Sequence, residues 1–213
     1  MTGMITSVDI QKGKKRVNVY IDDEYAFACD AELVYQYKLE KSTSIDLEKI
    51  SSIVKADNFI KAKKDALYFI EKAYKTEKEV FDKLLKKGYD NETIKKVLQF
   101  MKEYNFLDDT RYTDMYVNDK LHSRGKNKIV YDLRKKGIKD DVLFEKISSV
   151  DSDKERDTAY RLARKKYDVL CNRETDNKRL YQKLAQFLGS RGYSWDIIKE
   201  VLNKILKKDY IED

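Results

Sequence analysis

Cations come in short clusters along this chain, and anion binding is the chemistry their spacing suggests. Lys83, Lys86 and Lys87 close one amphipathic stretch, and Arg134, Lys135 and Lys136 close another. Arg161, Arg164, Lys165 and Lys166 lie on a third, and Arg191 ends a fourth. A cation near a helix C-terminus complements the helix dipole at about 0.3–1 kcal/mol. That accounts for the first two clusters with no ligand at all. It does not account for Arg124, Lys126 and Lys128 in the segment SRGKNK, which falls where a helix begins and cations are disfavoured. This segment is the strongest local candidate for an anion-facing contact.

Other chemistry has less support. His122 is the single histidine, and beside Ser123-Arg124-Gly125 it reads as a surface or capping residue rather than a base. Cys29 and Cys171 lie far apart without metal-ligand spacing, and read as reduced thiols of a cytoplasmic protein. The glycines are single, so no loop cradles a phosphate. Asp108-Asp109 has the charge to hold a cation, but capping the helix that begins near Asp109 is the better reading. Nothing supplies a nucleophile–base pair, a metal site or a cofactor site. The chain therefore reads as a binding protein rather than an enzyme. No stretch approaches the roughly 18 apolar residues of a membrane-spanning helix.

The elements that position these cations come from a phrase that occurs three times. It reads KLLKKGYDNETIKKVL from Lys83, DLRKKGIKDDVLFEKI from Asp132 and FLGSRGYSWDIIKEVL from Phe187. Each copy has Leu four residues before a Gly (Leu84, Leu133, Leu188), a cation just before it and Tyr or Ile just after. The glycines, Gly88, Gly137 and Gly192, stand where an amphipathic helix ends and a left-handed residue is needed. Asp90 and Ser194 are placed to cap the following helix; the middle copy has Lys139 there, so its cap is expected to shift to Asp140. Tyr89 with Ile94, Ile138 with Leu143 and Tyr193 with Ile198 have the spacing of hydrophobic staples. Thr76 and Glu79 form a capping box.

A further apolar-periodic stretch precedes each copy: Ala62 to Tyr74, Asp109 to Leu121 and Lys154 to Leu170. Each unit is thus three helices, and such units stack into a row because each buries little alone. The absence of proline fits helices joined by short turns. Met4 to Asp30 instead alternates with period two and predicts a three-stranded antiparallel meander, supported by a helix over Ala31 to Leu39. Ser42 to Asp46 marks a boundary, and Ile45 to Tyr74 is one long helix or two. The expected organisation is 1–44 for the β-meander and short helix, 45–104 for a linker helix and first repeat, 105–150 for the second and 151–213 for the third. The fold class is mainly α, with the repeats in an extended curved row. The net charge of +7 divides as −2 over 1–60, +4 over 61–104, +2 over 105–150 and +3 over 151–213. The positive balance lies in the repeats and suggests a polyanionic or acidic partner. Three helices with a tight turn also describe helix-turn-helix DNA binders.

The middle repeat, FLDDTRYTDMYVNDKLHSRGKNKIVYDLRKKGI, resembles the signature of the RecX family, regulators of the RecA recombinase. The matching positions are Phe106, Leu107, Asp108, Asp109, Arg111 and Tyr112, then Tyr116 and Val117. Arg124 and Gly125 follow, then Leu133, Lys136, Gly137 and Ile138. Thr113 and Lys120 stand where Ala and Arg are common in that family, which weakens an anion contact at position 120. The resemblance covers about Ala62 to Leu206 and implies a non-enzymatic monomer without cofactor. Such a protein binds the RecA filament on single-stranded DNA and restrains its growth, ATP hydrolysis and strand exchange. Contact with single- or double-stranded DNA is expected to be weak, direct or through RecA. The alternative is a helical-repeat DNA-binding module that acts by competing for DNA. For either partner, the candidate basic face comprises Lys83, Lys86, Lys87, Arg111, Lys120, Arg124, Lys126, Lys128, Arg134, Lys135, Lys136, Arg161, Arg164, Lys165 and Arg191.

Overall fold

The structure is a computed structural model that describes residues 2–208. It opens with three antiparallel strands, β1 (Thr2–Ile10), β2 (Arg16–Ile21) and β3 (Glu24–Asp30). Asp22 and Asp23, both at positive φ, make the two-residue turn between β2 and β3, the backbone hand that matches strand twist. Ile5, Val17, Val19, Phe27 and Cys29 are buried on one face. The short helix α1 (Ala31–Gln36) follows, capped by Asp30. It stops before the predicted Leu39, because Lys38 turns into the left-handed region and Leu39 N–H donates to Val34 O.

The sheet has four strands, not the expected three. Ser44–Asp46 forms β4, which pairs antiparallel with the start of β1 to give the order β3-β2-β1-β4. Three residues are too few to show alternation, so this stretch looked like a boundary. Its central residue, Ile45, is buried among Ile5, Leu33 and Ile53. A single helix, α2 (Leu47–Glu71), then runs on, with Asp46 capping its start.

One buried carboxylate ties the sheet to this helix. Asp57 on α2 accepts two hydrogen bonds from the Arg16 guanidinium, both 3.0 Å, and one from the Asp30 amide at 2.9 Å. Lys61 Nζ lies 2.7 Å from it. Burial opposes ionisation of Asp57, but the hydrogen bonds from Arg16 and Lys61 outweigh it and hold its pKa below the ordinary value.

Three helical units follow. The first combines α2 with α3 (Glu77–Lys86) and α4 (Asn91–Glu103) around Ala62, Ala66, Val80, Leu84 and Ile94. Thr76 and Glu79 form the expected capping box. The second comprises α5 (Asp109–Lys120), α6 (Lys126–Lys135) and α7 (Asp140–Ser148) around Val117, Ile129, Leu133 and Leu143. The third comprises α8 (Ser152–Leu170), α9 (Asn177–Ser190) and α10 (Trp195–Lys208) around Ala159, Ala163, Leu184 and Leu202. The chain divides into two compact bodies, Met1–Leu107 and Asp108–Asp213. The first holds the sheet and one repeat; the second holds the other two repeats.

Candidate functional site

The repeated phrase builds the same turn three times. Gly88, Gly137 and Gly192 have φ of 88°, 86° and 83°. In each copy the following amide donates back to the carbonyl of the shared leucine: Tyr89 to Leu84, Ile138 to Leu133 and Tyr193 to Leu188. The glycine amide donates to the next carbonyl, on Leu85, Arg134 or Gly189. These two bonds define a Schellman motif. The next helix is capped by Asp90 in the first copy and Ser194 in the third. In the middle copy Lys139 occupies the cap position without a side-chain hydrogen bond, so no shifted Asp140 cap forms.

The cation before each glycine occupies the C-terminal cap position of its helix, and it folds back beside the unit's own aromatic or acidic side chains. Lys87 pairs with Asp65 on α2 at 2.6 Å. Lys136 Nζ lies 5.4 Å from the Tyr112 ring centroid, and the Arg191 guanidinium lies 3.9 Å from that of Phe187. Further cations join these rings. Lys75 and Lys83 approach Phe69 at 5.0 and 5.7 Å, and Lys166 approaches Phe187 at 5.8 Å. In the second unit Tyr112 and Tyr116 stack with ring centroids 6.1 Å apart, and Lys120 lies 5.7 Å from Tyr116. Each unit therefore carries cations against rings, an arrangement suited to anionic or planar groups. Sequence reasoning missed the ring partners. The spacing of Tyr112, Tyr116 and Lys120 at four-residue intervals on one helix was the available signal.

The segment SRGKNK has a structural role within the second body. Its helix, α6, has Gly125 at the N-cap and so no cap from its own side chains. Glu155, buried on α8, supplies one by accepting the Lys126 amide at 2.8 Å. That carboxylate also offsets the positive end of the helix. Lys126 Nζ in turn donates to Val150 O at 2.8 Å and lies 3.7 Å from Glu155 Oε2. Arg124 pairs with Asp132 and donates to Tyr116 Oη at 3.4 Å, while Lys128 reaches Asp132 at 3.2 Å. Burial and the Asp132 charge push the Tyr116 phenol up. The Gly125 amide donates to Arg191 O at 2.9 Å, so the turn of the third repeat rests on this segment.

The remaining candidates divide in two. Arg134 pairs with Asp140, Arg164 with Asp168 and Lys120 with Asp119, and Arg161 donates to His122 O. Arg111 is exposed on the first turn of α5, where its amide is capped by Asp108. Lys86, Lys135 and Lys165 are exposed, and among the described residues they have no ion-pair or ring partner.

Among the described residues no cluster of His, Cys, Asp or Glu could hold a metal ion. Burial pushes the Cys29 thiol up to about 11, away from thiolate reactivity. Cys171 is half-buried and donates to Asp168 O. No described helix is long and apolar enough to cross a membrane.

Comparison with known proteins matches every part of this architecture. Residues 3–46 match the regulatory protein RecX N-terminal domain. Residues 62–101, 108–143 and 153–202 match the first, second and third three-helix domains of RecX. The regulatory protein RecX of Clostridium perfringens strain 13 is 48% identical over 99% of this chain and all of its own. That of Clostridium tetani is 48% identical over 96% of this chain and 95% of its own. A crystal structure of regulatory protein RecX superposes with a TM-score of 0.71 at 26% identity, covering 93% of this chain and 98% of that one. A second, from Lactobacillus salivarius, shares the fold with a TM-score of 0.62 over 70% of this chain and 97% of its own.

Proposed function

Because the chain belongs to the RecX family of regulatory proteins, we propose that it is a non-enzymatic modulator of the RecA recombinase. It binds the RecA filament on single-stranded DNA and restrains filament growth, ATP hydrolysis and strand exchange. It acts as a cytoplasmic monomer and carries no cofactor. The observation that carries this reading is the full-length match, which includes the sheet and all three repeats. The repeats add physical support. Each sets cations against rings on a helical framework, and each leaves at least one lysine, Lys86, Lys135 or Lys165, without an acid partner among the described residues. Those lysines are free to meet acidic groups on a partner.

The test is co-sedimentation with RecA filaments assembled on single-stranded DNA. A Lys86→Glu, Lys135→Glu, Lys165→Glu variant should keep its fold, because no internal pair is broken, and should pellet with filaments several-fold less than the natural chain. Equal pelleting would remove these lysines from the interface. The alternative, competition for DNA alone, predicts steep salt dependence on naked DNA and inhibition that disappears when DNA is in excess.

A further inference from the structure

The first repeat carries a second surface that the recombinase reading does not use. On α2, Lys55, Phe59 and Lys63 follow at four-residue intervals and so share one stripe. Lys96 and Phe100 on α4, with Tyr104 at its C-terminal cap, do the same. The two stripes lie side by side. Phe59 and Phe100 meet edge to face at 6.5 Å, and Lys63 Nζ lies 5.7 and 5.0 Å from their ring centroids. Lys55, Phe59 and Lys96 line one groove together with Asp90 and Glu92, and Glu92 pairs with Lys96 at 2.9 Å, which leaves Lys55 and Lys63 as the cations of this track. Past Phe100 the rings continue outward: Tyr104 lies 4.6 Å from it, and Phe106 stacks on Tyr104 at 6.4 Å with planes 17° apart.

A left-handed Asn105, at φ 56°, ends α4, and the Phe106 amide donates to Met101 O at 2.8 Å. This turn fixes Phe106 beside Tyr104. Neither ring is needed to fill the core, since Tyr104 is 63% and Phe106 46% exposed. Lys55 and Lys63 have no ion pair among the described residues. Eight residues of helix make the stripe about 12 Å long.

We propose that this face of α2 and α4 is a binding platform for single-stranded DNA. Exposed ring faces stack on bases without regard to sequence, and lysines along the same track meet phosphates. A duplex hides its base faces and cannot use the rings. An apolar protein partner fits less well, because it would strip water from Lys63 in the middle of the patch without returning a counter-charge. The inference stands whether or not the chain acts on a recombinase, since it gives the protein its own hold on the strand.

Fluorescence anisotropy of labelled oligo-dT with the full chain tests it, and a duplex of equal length serves as reference. A Tyr104→Ala, Phe106→Ala variant should bind oligo-dT about tenfold more weakly, with the same salt dependence and an unchanged far-UV spectrum. Tyr104→Phe should keep the affinity. A Lys55→Ala, Lys63→Ala variant should flatten the slope of log K against log salt by about 1.4. Unchanged affinity in the ring variant would overturn the proposal, as would equal losses for oligo-dT and duplex. So would unchanged oligo-dT binding with weakened binding to RecA alone, which would mark the patch as a protein contact.

Discussion

Removing the Asp57 carboxylate would leave the Asp30 amide without its acceptor and the Arg16 guanidinium with only the Ala28 carbonyl. Breaking a buried pair by deleting one partner costs about 3–5 kcal/mol. Arg16 is about one-quarter exposed, which lowers the expected loss for Asp57→Ala to about 2–4 kcal/mol, read from urea denaturation. The same residue carries a pH signature. Its folded pKa lies below the unfolded value of about 3.9. Its contribution is therefore complete above that value and is lost as pH falls through the folded pKa. Unfolding curves between about pH 2.5 and 6 should show a shallower acid loss for Asp57→Asn than for the natural chain. Parallel curves would mean that Asp57 is not held ionised. Arg124 and Lys126 make a second residue-level prediction. Both have internal acids, so Arg124→Glu with Lys126→Glu should lower the thermal midpoint, and any binding loss would be secondary to that. An unshifted midpoint would return the pair to the candidate face.

The three glycine turns look alike in sequence, yet they should not be equally tolerant. No atom lies within 4 Å of a Cβ added at Gly88, so Gly88→Ala should cost only the left-handed penalty of about 1–2 kcal/mol. Gly137→Val should cost a similar amount or slightly more, because a β-branched side chain fits that region poorly. A Cβ at Gly192 would stand 2.3 Å from the Lys128 amide nitrogen, and one at Gly125 would stand 2.5 Å from Gly192 O. Gly192→Ala should therefore cost about 3–5 kcal/mol, strain and backbone overpacking together. Equal destabilisation of Gly88→Ala and Gly192→Ala in differential scanning calorimetry would show that the α6 and α9–α10 turns do not touch. The helices and Schellman turns were legible because their signals are local. Strand β4 was not, since only its partner β1 defines it. The fate of the SRGKNK cations was not legible either. Lys126 meets an acid 29 residues away, and no local pattern announces Glu155.

At the scale of the whole molecule, the sequence separated a sheet from three repeats, whereas the contacts divide the chain after Leu107. The sheet and the first repeat share α2, and Asp57 fastens them, so charge at the first body serves architecture as well as surface. In the second body, Glu155 and the Gly125–Gly192 contact join two repeats that the sequence presents as separate units. Cations that looked equivalent along the chain thereby acquire different roles. Arg124, Lys126 and Lys128 are held by acids within the body, while Lys86, Lys135 and Lys165 have no ion-pair partner among the described residues. Binding through exposed lysines is screened by salt, with a Debye length of about 10 Å at 0.1 M. The proposed filament binding should accordingly weaken between about 50 and 300 mM salt while the fold is unaffected.

Regulation of the recombinase filament is tested most directly by single-stranded-DNA-dependent ATP hydrolysis of the cognate RecA, titrated with this protein and repeated with excess DNA. Action on the filament itself predicts inhibition well below one molecule per RecA subunit that survives the added DNA. Inhibition only near saturation of the DNA, or its reversal by excess DNA, would contradict that account.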